Sequence, residues 1–543
     1  MILKYEWGNV PGNSILMKFS TYLLALVFLM VSCTKNFEEI NRNPFNPTQT
    51  DIGPLFNTII NSLRLGWNEQ FYLHNETLYG ITQQAARTSV GFDNITIGTE
   101  EAWANYYRAL AHIREIERRF GEMAVEEEAL NNVRAQLKVL MAYKTFRLTD
   151  LFGDMPFFEA GRGFESLDYV RPAFDAQEEI YKFLLEELKW VEENINTSPN
   201  PVTASGEKYV SFSDFDKLFF GDMRRWRKFA NSLRMRHAMR MVEKDPAFAT
   251  PILKEIIEKQ LHVIEEGEDV GMWPVQQDWV NESVIWSFSE HNKLRMGSTI
   301  WHQLSQNDNS DGSGIFDPRA RIFFETNNDG EWAAFPQIPD ASTPAEGGIP
   351  YGQHRDNNYT IKGEANLFSP FNYYLIRDQF DIPEILLTAA EVGFIKAEAY
   401  LRGLGVAMDE GAAEAEYTVA LVSSIKFWQN VVTSSSIWVN KPPILSEGEI
   451  FAATNHPRLS IFTSSDKLAL IYTQRWLDAF RQPWEAFALW RRTGATPREG
   501  TAPEYYRFSY PPSEAENNPE NWSAQVGRMG EDSPRVKVWW MAD

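Results

Sequence analysis

Leu130-Asn-Asn-Val-Arg-Ala-Gln-Leu-Lys-Val-Leu-Met-Ala-Tyr-Lys-Thr-Phe-Arg-Leu-Thr-Asp-Leu-Phe-Gly-Asp-Met-Pro156 is the stretch on which the fold reading turns. Leu130, Val133, Leu137, Leu140 and Met141 recur at steps of three and four, which places them on one face of a helix. Gly153 and Pro156 then stop the helix sharply. Ile180, Leu184, Leu188 and Val191 repeat the pattern. Residues 105–120 and 215–242 read as further helices, and the small residues Ala111, Ala135 and Ala142 suit close helix crossings. Residues 53–245 therefore read as stacked helical hairpins of the tetratricopeptide kind, although no repeat is visible as self-similarity. The expected fold class is mainly α: a tetratricopeptide-like helical hairpin scaffold with a loop-rich insertion and few short strands.

Upstream lies residues 17–33, Met-Lys-Phe-Ser-Thr-Tyr-Leu-Leu-Ala-Leu-Val-Phe-Leu-Met-Val-Ser-Cys. One positive charge, an apolar run and a small residue follow in the order of a secretory signal. The run is shorter than the roughly 20 residues that span a bilayer. Cys33 is the only cysteine in the chain. A thiol placed just after the cut is the group that lipoprotein processing alkylates. The expectation is a lipoprotein signal at 17–32, a lipidated Cys33 with a tether at 33–52, and an upstream extension at 1–16. An uncleaved anchor, or a non-lipidated signal with an incidental cysteine, is the alternative. Pro44 and Pro47 keep the tether extended, because Pro fixes its own φ and restrains the residue before it.

Downstream, helical periodicity fades at 267–374, where Gly, Pro, Asn and Asp rise and aromatics are scattered. So long an insertion on a rigid scaffold commonly carries function. Helix is expected to return at Pro383, with Ile385, Leu386, Ala389, Ala390, Phe394, Ala397 and Leu401 on a buried face and Gly403 as the stop. A second helix is expected over about 411–432, and a third over 466–493, broken at Pro483. The tail from Pro497 reads as irregular chain packed back on the body. In all, 53–543 reads as one domain: scaffold at 53–266 and 375–496, a loop-rich ligand region at 267–374, and the tail at 497–543.

Composition narrows the function. The net charge of −22 offers no electrostatic footprint for nucleic acid, whose phosphates need clustered Lys and Arg. One cysteine excludes an internal disulfide and a thiolate metal site. Hydrophobic residues at 43% are enough for a sizeable core. The eight His show no metal-ligand spacing, and neither a Gly-x-Ser-x-Gly elbow nor a phosphate loop is present. Asn307, Asn309 and Asp311 before Gly312 have the alternating oxygens of a calcium loop, but Pro318 stands where its closing Glu belongs, so a solvated turn is expected. The basic runs at 224–228 and 491–492 are expected to form ion pairs on helix faces.

Several short pieces, in order, resemble the SusD/RagB family of outer-membrane lipoproteins. They are Met30-Val-Ser-Cys33, Phe37-Glu-Glu-Ile-Asn41, Asn43-Pro-Phe-Asn-Pro47, Asp150-Leu-Phe-Gly-Asp-Met-Pro156, Asp317-Pro-Arg319 and Pro350-Tyr-Gly352. Further on come Pro383 to Glu391, Ala397-Glu-Ala399, Arg402-Gly403, Gln474-Arg-Trp476, Glu485-Ala, Arg491-Arg-Thr-Gly494, Tyr510-Pro-Pro-Ser-Glu514, Asn517-Asn518 and Val538-Trp-Trp540. The closing Trp-Trp-Met departs from the acidic ending more usual in the family. The resemblance implies a surface lipoprotein that captures oligosaccharide or another nutrient and passes it to a TonB-dependent (SusC-like) transporter barrel. It implies no catalysis and no cofactor, a membrane link through the lipid alone, and an outer-membrane location.

The aromatics of the loop-rich region are the candidate ligand surface. An indole face stacks on the C–H face of a sugar while polar neighbours bond its hydroxyls. Trp273, Trp279, Trp301, Trp332, Tyr351 and Arg355 are the candidates, with Gln276, Gln277, Asp278, Asn281 and Gln303 nearby in sequence. Against this, each aromatic buries about 150–250 Å² when it fills a loop core. Sugar and peptide both remain open as ligands. Two rival functions also remain: an exported glycan-degrading enzyme, whose paired carboxylates leave no readable spacing, and a ligand-free scaffold of the transporter complex.

Overall fold

Thr149 and Gly153 close the helix read first: the Gly153 N–H donates to the Thr149 carbonyl at 2.7 Å, with φ +82°. This is a computed structural model, and it describes residues 52–88, 95–274, 293–344, 346, 355–356, 360–361, 366–376, 383–435, 438 and 441–542. The scaffold helices are α1 (Ile52–Asn61), α2 (Ile95–Phe120), α3 (Asn131–Phe152), α4 (Gln177–Asn194), α5 (Met223–Met241), α6 (Pro246–Glu258), α7 (Ala389–Arg402), α8 (Glu410–Ser434), α9 (Lys467–Asp478) and α10 (Pro483–Thr493). Consecutive helices pack on each other from α2 to α6, and again for α7 with α8. Helix α7 also packs on α5 and α9, which joins the two halves. The architecture is the expected mainly helical, tetratricopeptide-like one.

Helix α3 lies between α2 and α4. Its predicted face of Val133, Leu137, Leu140 and Met141 is buried, but so are Gln136, Thr145, Thr149 and Asp150 on other faces. A helix covered on several sides hides polar groups too, and these then need partners. Helix α2 starts ten residues ahead of the expected Asn105.

Two further helix starts differ from the sequence expectation. Residues 383–387 do not begin a helix: Glu384–Leu387 is a strand, antiparallel to Val270–Met272. Helix α7 starts after Thr388, whose Oγ1 accepts from the Glu391 N–H at 3.1 Å. Thr-x-x-Glu is the start signal there, and it outweighs the proline five residues earlier. Gly403, at φ +69°, ends α7 as expected. Residues 215–222 are likewise not helical. They form a turn wound on the buried Asp216 carboxylate, and α5 starts after Asp222, whose Oδ1 accepts from the Arg224 N–H at 2.9 Å. The break at Pro483 holds, with α9 and α10 joined by a short 3-10 turn.

The tail is less irregular than expected, since Pro512–Asn517 and Pro519–Met529 are short helices opened by proline. Phe508, Tyr510, Val538 and Trp540 of the tail are buried. Strands are few and short. Ala86–Arg87 pairs with Leu294–Arg295, and Arg355–Asp356 with Thr360–Ile361. The insertion shares the main core: Phe323 stacks on Phe480 at 4.2 Å and meets Trp428 edge-on at 4.9 Å. One feature has no signal in the sequence. Glu69–Leu78 is a π-helix with most of its polar side chains buried, and Glu69 pairs with Arg147 while Glu76 pairs with Arg87.

Candidate functional site

The charged residues of the short motifs meet inside the protein. Arg236 of α5 donates from Nε to Glu391 Oε1 at 3.0 Å and from Nη1 to Glu485 Oε1 at 3.3 Å. Arg240, one turn on, pairs with Asp150 of α3 and Glu485 of α10. Arg475 donates to Glu391 at 2.7 Å. Glu398 receives both arms of Arg492 and also pairs with Arg402. Burial alone would raise the carboxyls of Glu391 and Glu398. Arg236 and Arg475 around the first, and Arg492 and Arg475 around the second, reverse this and hold each at about 2. Asp317 and Arg319 form a parallel case, fully buried and tied to Ser424 and Gln474. Every charge here is answered by another, so the network joins helices and offers no free acid or base. Of the run at 491–492, Arg492 forms an ion pair as expected, while Arg491 donates to the Asp150 and Tyr506 carbonyls instead; in the run at 224–228, Lys228 pairs with Glu265 and Glu268.

The predicted ligand residues separate into three groups. Trp301 and Trp332 stack on each other, centroids 5.8 Å apart and planes 10° from parallel. They are only 2% and 7% exposed. The Trp301 Nε1 donates to Asp308 at 3.0 Å, and the Arg321 guanidinium lies 5.6 Å from the Trp332 ring centre. The open stacking faces expected of these two are not there: each indole covers the other, and they fill a loop core. Trp273 is half-buried and meets Phe427 of α8 edge-on at 6.1 Å. Gln303 is half-buried on the short helix Ser298–Leu304. The backbone of Arg355 pairs with Ile361. Trp279, Tyr351, Gln276, Gln277, Asp278 and Asn281, like Cys33, lie outside the described residues. In the stretch with calcium-loop spacing, Asn307 accepts from the Asn309 N–H at 3.1 Å and Asp311 from the Ser313 N–H at 2.8 Å. Their oxygens close local turns. Among the described residues no cluster of His, Cys, Asp and Glu could hold a metal.

The loop-rich region is tied down at Arg295, which is 1% exposed. Its Nη2 donates to Asn366 at 3.0 Å, and its Nε lies 3.4 Å from Glu346. Glu346 in turn accepts from the Leu367 and Phe368 N–H groups at 3.1 and 3.0 Å. Thr88 N–H donates to the Lys293 carbonyl at 2.9 Å, so a stretch from the N-terminal half enters the same knot.

Outside this region a pocket opens between α2, the loop 156–172 and the helix Pro512–Asn517, with a volume of about 280 Å³. Tyr107 of α2 and Tyr169 from the loop are half-buried and supply aromatic walls, and Trp103, four before Tyr107 on the same face and only 5% exposed, lines the pocket too. Their rings are held in place: Tyr107 donates to the Pro156 carbonyl at 2.8 Å, and Trp103 lies edge-on to Phe152 at 5.1 Å. Among the described residues, Glu514 is the one charged residue lining the pocket. It accepts from Trp103 Nε1 at 3.2 Å and from Asn518 Nδ2 at 2.9 Å. The mix of aromatic wall with a few placed polar groups is that of a small-ligand site. The Trp-x-x-x-Tyr spacing was a readable signal for it. Glu514, 411 positions from Trp103, was not.

Comparison with curated proteins returns no match. The family model for SusD-like proteins, described as "Starch-binding associating with outer membrane", matches residues 44–507. Among solved structures, a chitin-binding protein aligns with TM-score 0.69 and 22% identity over 91% of this chain and 100% of its own. A SusD homologue from Parabacteroides distasonis aligns with TM-score 0.68 and 19% identity over 91% and 98%. A chitin-binding SusD homologue from Flavobacterium johnsoniae gives TM-score 0.62 and 20% identity over 91% and 99%. At such identities the likeness speaks for the fold. The family model speaks for descent, and because it spans most of the sequence, the chain belongs to the SusD-like family, described as starch-binding and associated with the outer membrane.

Proposed function

We propose that this protein captures glycan at the cell surface and passes it to a TonB-dependent transporter barrel in the outer membrane, without catalysing a reaction on it. The observation that carries the reading is the family match over residues 44–507. Two structural neighbours are named for chitin binding, so polymers of N-acetylglucosamine head the panel of ligands, beside starch. Lipid on Cys33 would hold the body at the membrane. Among the described residues no helix is long and apolar enough to cross one. Trp273, Trp279, Tyr351 and Arg355 remain the proposed contacts of the loop-rich region, while Trp301 and Trp332 support it from within.

The test is a glycan titration of the full-length protein in detergent, with Trp273, Trp279, Tyr351 and Arg355 replaced singly by Ala. A neutral oligosaccharide that binds, and loses about tenfold or more in affinity with at least one replacement, supports the reading. No binding across starch and chitin oligomers, or their turnover, would sink it. Cys33→Ser should release the protein from membranes and leave folding unchanged, and co-purification of a barrel with the wild type tests the transporter.

A further inference from the structure

The pocket walled by Trp103, Tyr107 and Tyr169 holds a carboxylate that nothing positive answers among the described residues. Among the described residues Glu514 forms no ion pair, and the charge that influences it is Glu100, another carboxylate. Glu100 lies close by, accepting from the Ser513 N–H at 2.9 Å. Burial pushes the Glu514 carboxyl up, and its hydrogen bonds from Asn518 and Trp103 offset this only in part. Elsewhere the buried Asp216 is met by N–H donors alone, whereas Glu391, Glu398 and Glu485 each meet an arginine. At Glu514 that place is open to the pocket.

The walls suit the same ligand charge. Aromatic faces carry negative quadrupole potential and attract cations within about 6 Å of the ring centre. Tyr169 stands on the 3-10 turn Leu167–Val170, which has no buried residue, and its hydroxyl has no partner among the described residues. Val170 beside it is 63% exposed. An ionised carboxylate has about four acceptor positions on its two oxygens, and Trp103 and Asn518 use two. The remaining ones, the ring faces and the Tyr169 hydroxyl match a ring-shaped ligand with hydroxyls and one ammonium group.

We propose that this pocket is a second binding site, separate from the loop-rich region, and that it takes the protonated amine of an amino sugar between Glu514 and the aromatic walls. That the amine is borne by a sugar rests on the glycan reading above. That the pocket takes an organic amine does not.

The experiment is calorimetric titration of the full-length protein in detergent with the glucosamine tetramer, its fully N-acetylated counterpart, and cyclohexylamine, at a pH where the amines are charged. The glucosamine tetramer should bind about tenfold or more tighter than the acetylated one. Glu514→Gln, which keeps the shape and one of the two accepted hydrogen bonds, should abolish that preference, and Tyr169→Ala should weaken it several-fold. Trp279→Ala should leave it intact. Equal binding of the two tetramers by the wild type, or a preference that survives both pocket variants, overturns the proposal. If Glu514→Gln does not fold, Tyr169→Ala on its exposed turn decides alone. Neutral glycans bound with no amine preference would sink the pocket and leave the glycan reading standing. Cyclohexylamine bound through Glu514, with no glycan bound at all, would do the reverse.

Discussion

Arg492 grips Glu398 with both arms: Nη1 donates to Oε1 and Nη2 to Oε2, each at 2.7 Å, with the two side chains 3% and 1% exposed. The pair fastens α10 to α7, two elements almost a hundred positions apart in sequence. Arg402 and the Tyr472 hydroxyl share the same carboxylate at 2.8 and 3.0 Å. A two-pronged pair of this geometry is the strong form of an ionic hydrogen bond.

Replacing Glu398 by Gln should therefore destabilise the protein by roughly 3–5 kcal/mol, because it leaves Arg492 charged and buried without its partner. Denaturant unfolding checks the size. The pH dependence checks the cause. Glu398 is held at about 2, against 4.5 when unperturbed. A depressed carboxyl contributes its full stabilisation above the unfolded value and loses it as pH falls through the folded one. The gap between wild type and variant should shrink as pH drops from about 4.5 to about 2. A gap that stays constant over this window would mean that the charge is not responsible.

Asp216 is the hub of the turn before α5. Its Oδ1 accepts from the Leu218 and Phe219 N–H groups at 3.1 and 3.0 Å. Its Oδ2 accepts from Gly221 N–H at 3.0 Å, Trp226 Nε1 at 2.7 Å and Gln136 Nε2 at 3.1 Å. Phe220, held at φ +54° where a bulky residue is strained, depends on this hub. Asp216→Ala should cost about 3 kcal/mol or more by leaving buried donors unpaired. A thermal melt unchanged from wild type would contradict that account.

Thr388 caps α7 and also donates to Asp478. Thr388→Ala should cost about 1–2 kcal/mol, and Thr388→Ser should recover most of it, since Ser caps at least as well. Equal loss in both variants would point to the missing methyl group instead of the hydroxyl.

Trp301→Ala and Trp332→Ala should each lower stability by about 3–5 kcal/mol, as removal of a buried indole does. Any loss of glycan binding should follow the loss of structure. Unchanged melting together with lost binding in either variant would restore these residues as ligand contacts.

The helices were legible where periodicity and stop signals agreed. Val133 to Met141 with Gly153, and Phe394 to Leu401 with Gly403, read correctly because spacing and termination are local. The start of α7 was misread because Ile385, Leu386 and Leu387 fit a helix face and a buried strand alike, and only pairing with Val270–Met272 separates the two. The aromatic candidates show the same limit. Trp301 and Trp332 look like sugar platforms in sequence, and their roles change once each ring is found against the other. The pocket at Trp103 and Tyr107 went unread, because the helix read from Asn105 left Trp103 outside it, whereas α2 starts at Ile95 and carries both on one face.

By itself, the sequence determined what depends on neighbours within a turn or two: helical character, helix ends, an acidic chain without disulfides, and motif pieces in the order of the family. Tertiary structure alone decided which buried charges meet. Arg240 bridges Asp150 and Glu485, and Trp103 meets Glu514. Backbone preferences act over a few residues, whereas burial and ion pairing act between whatever the packed helices bring within a few ångströms. An arginine or tryptophan therefore carries no mark in the sequence to say whether it will face a partner, a core or an open pocket.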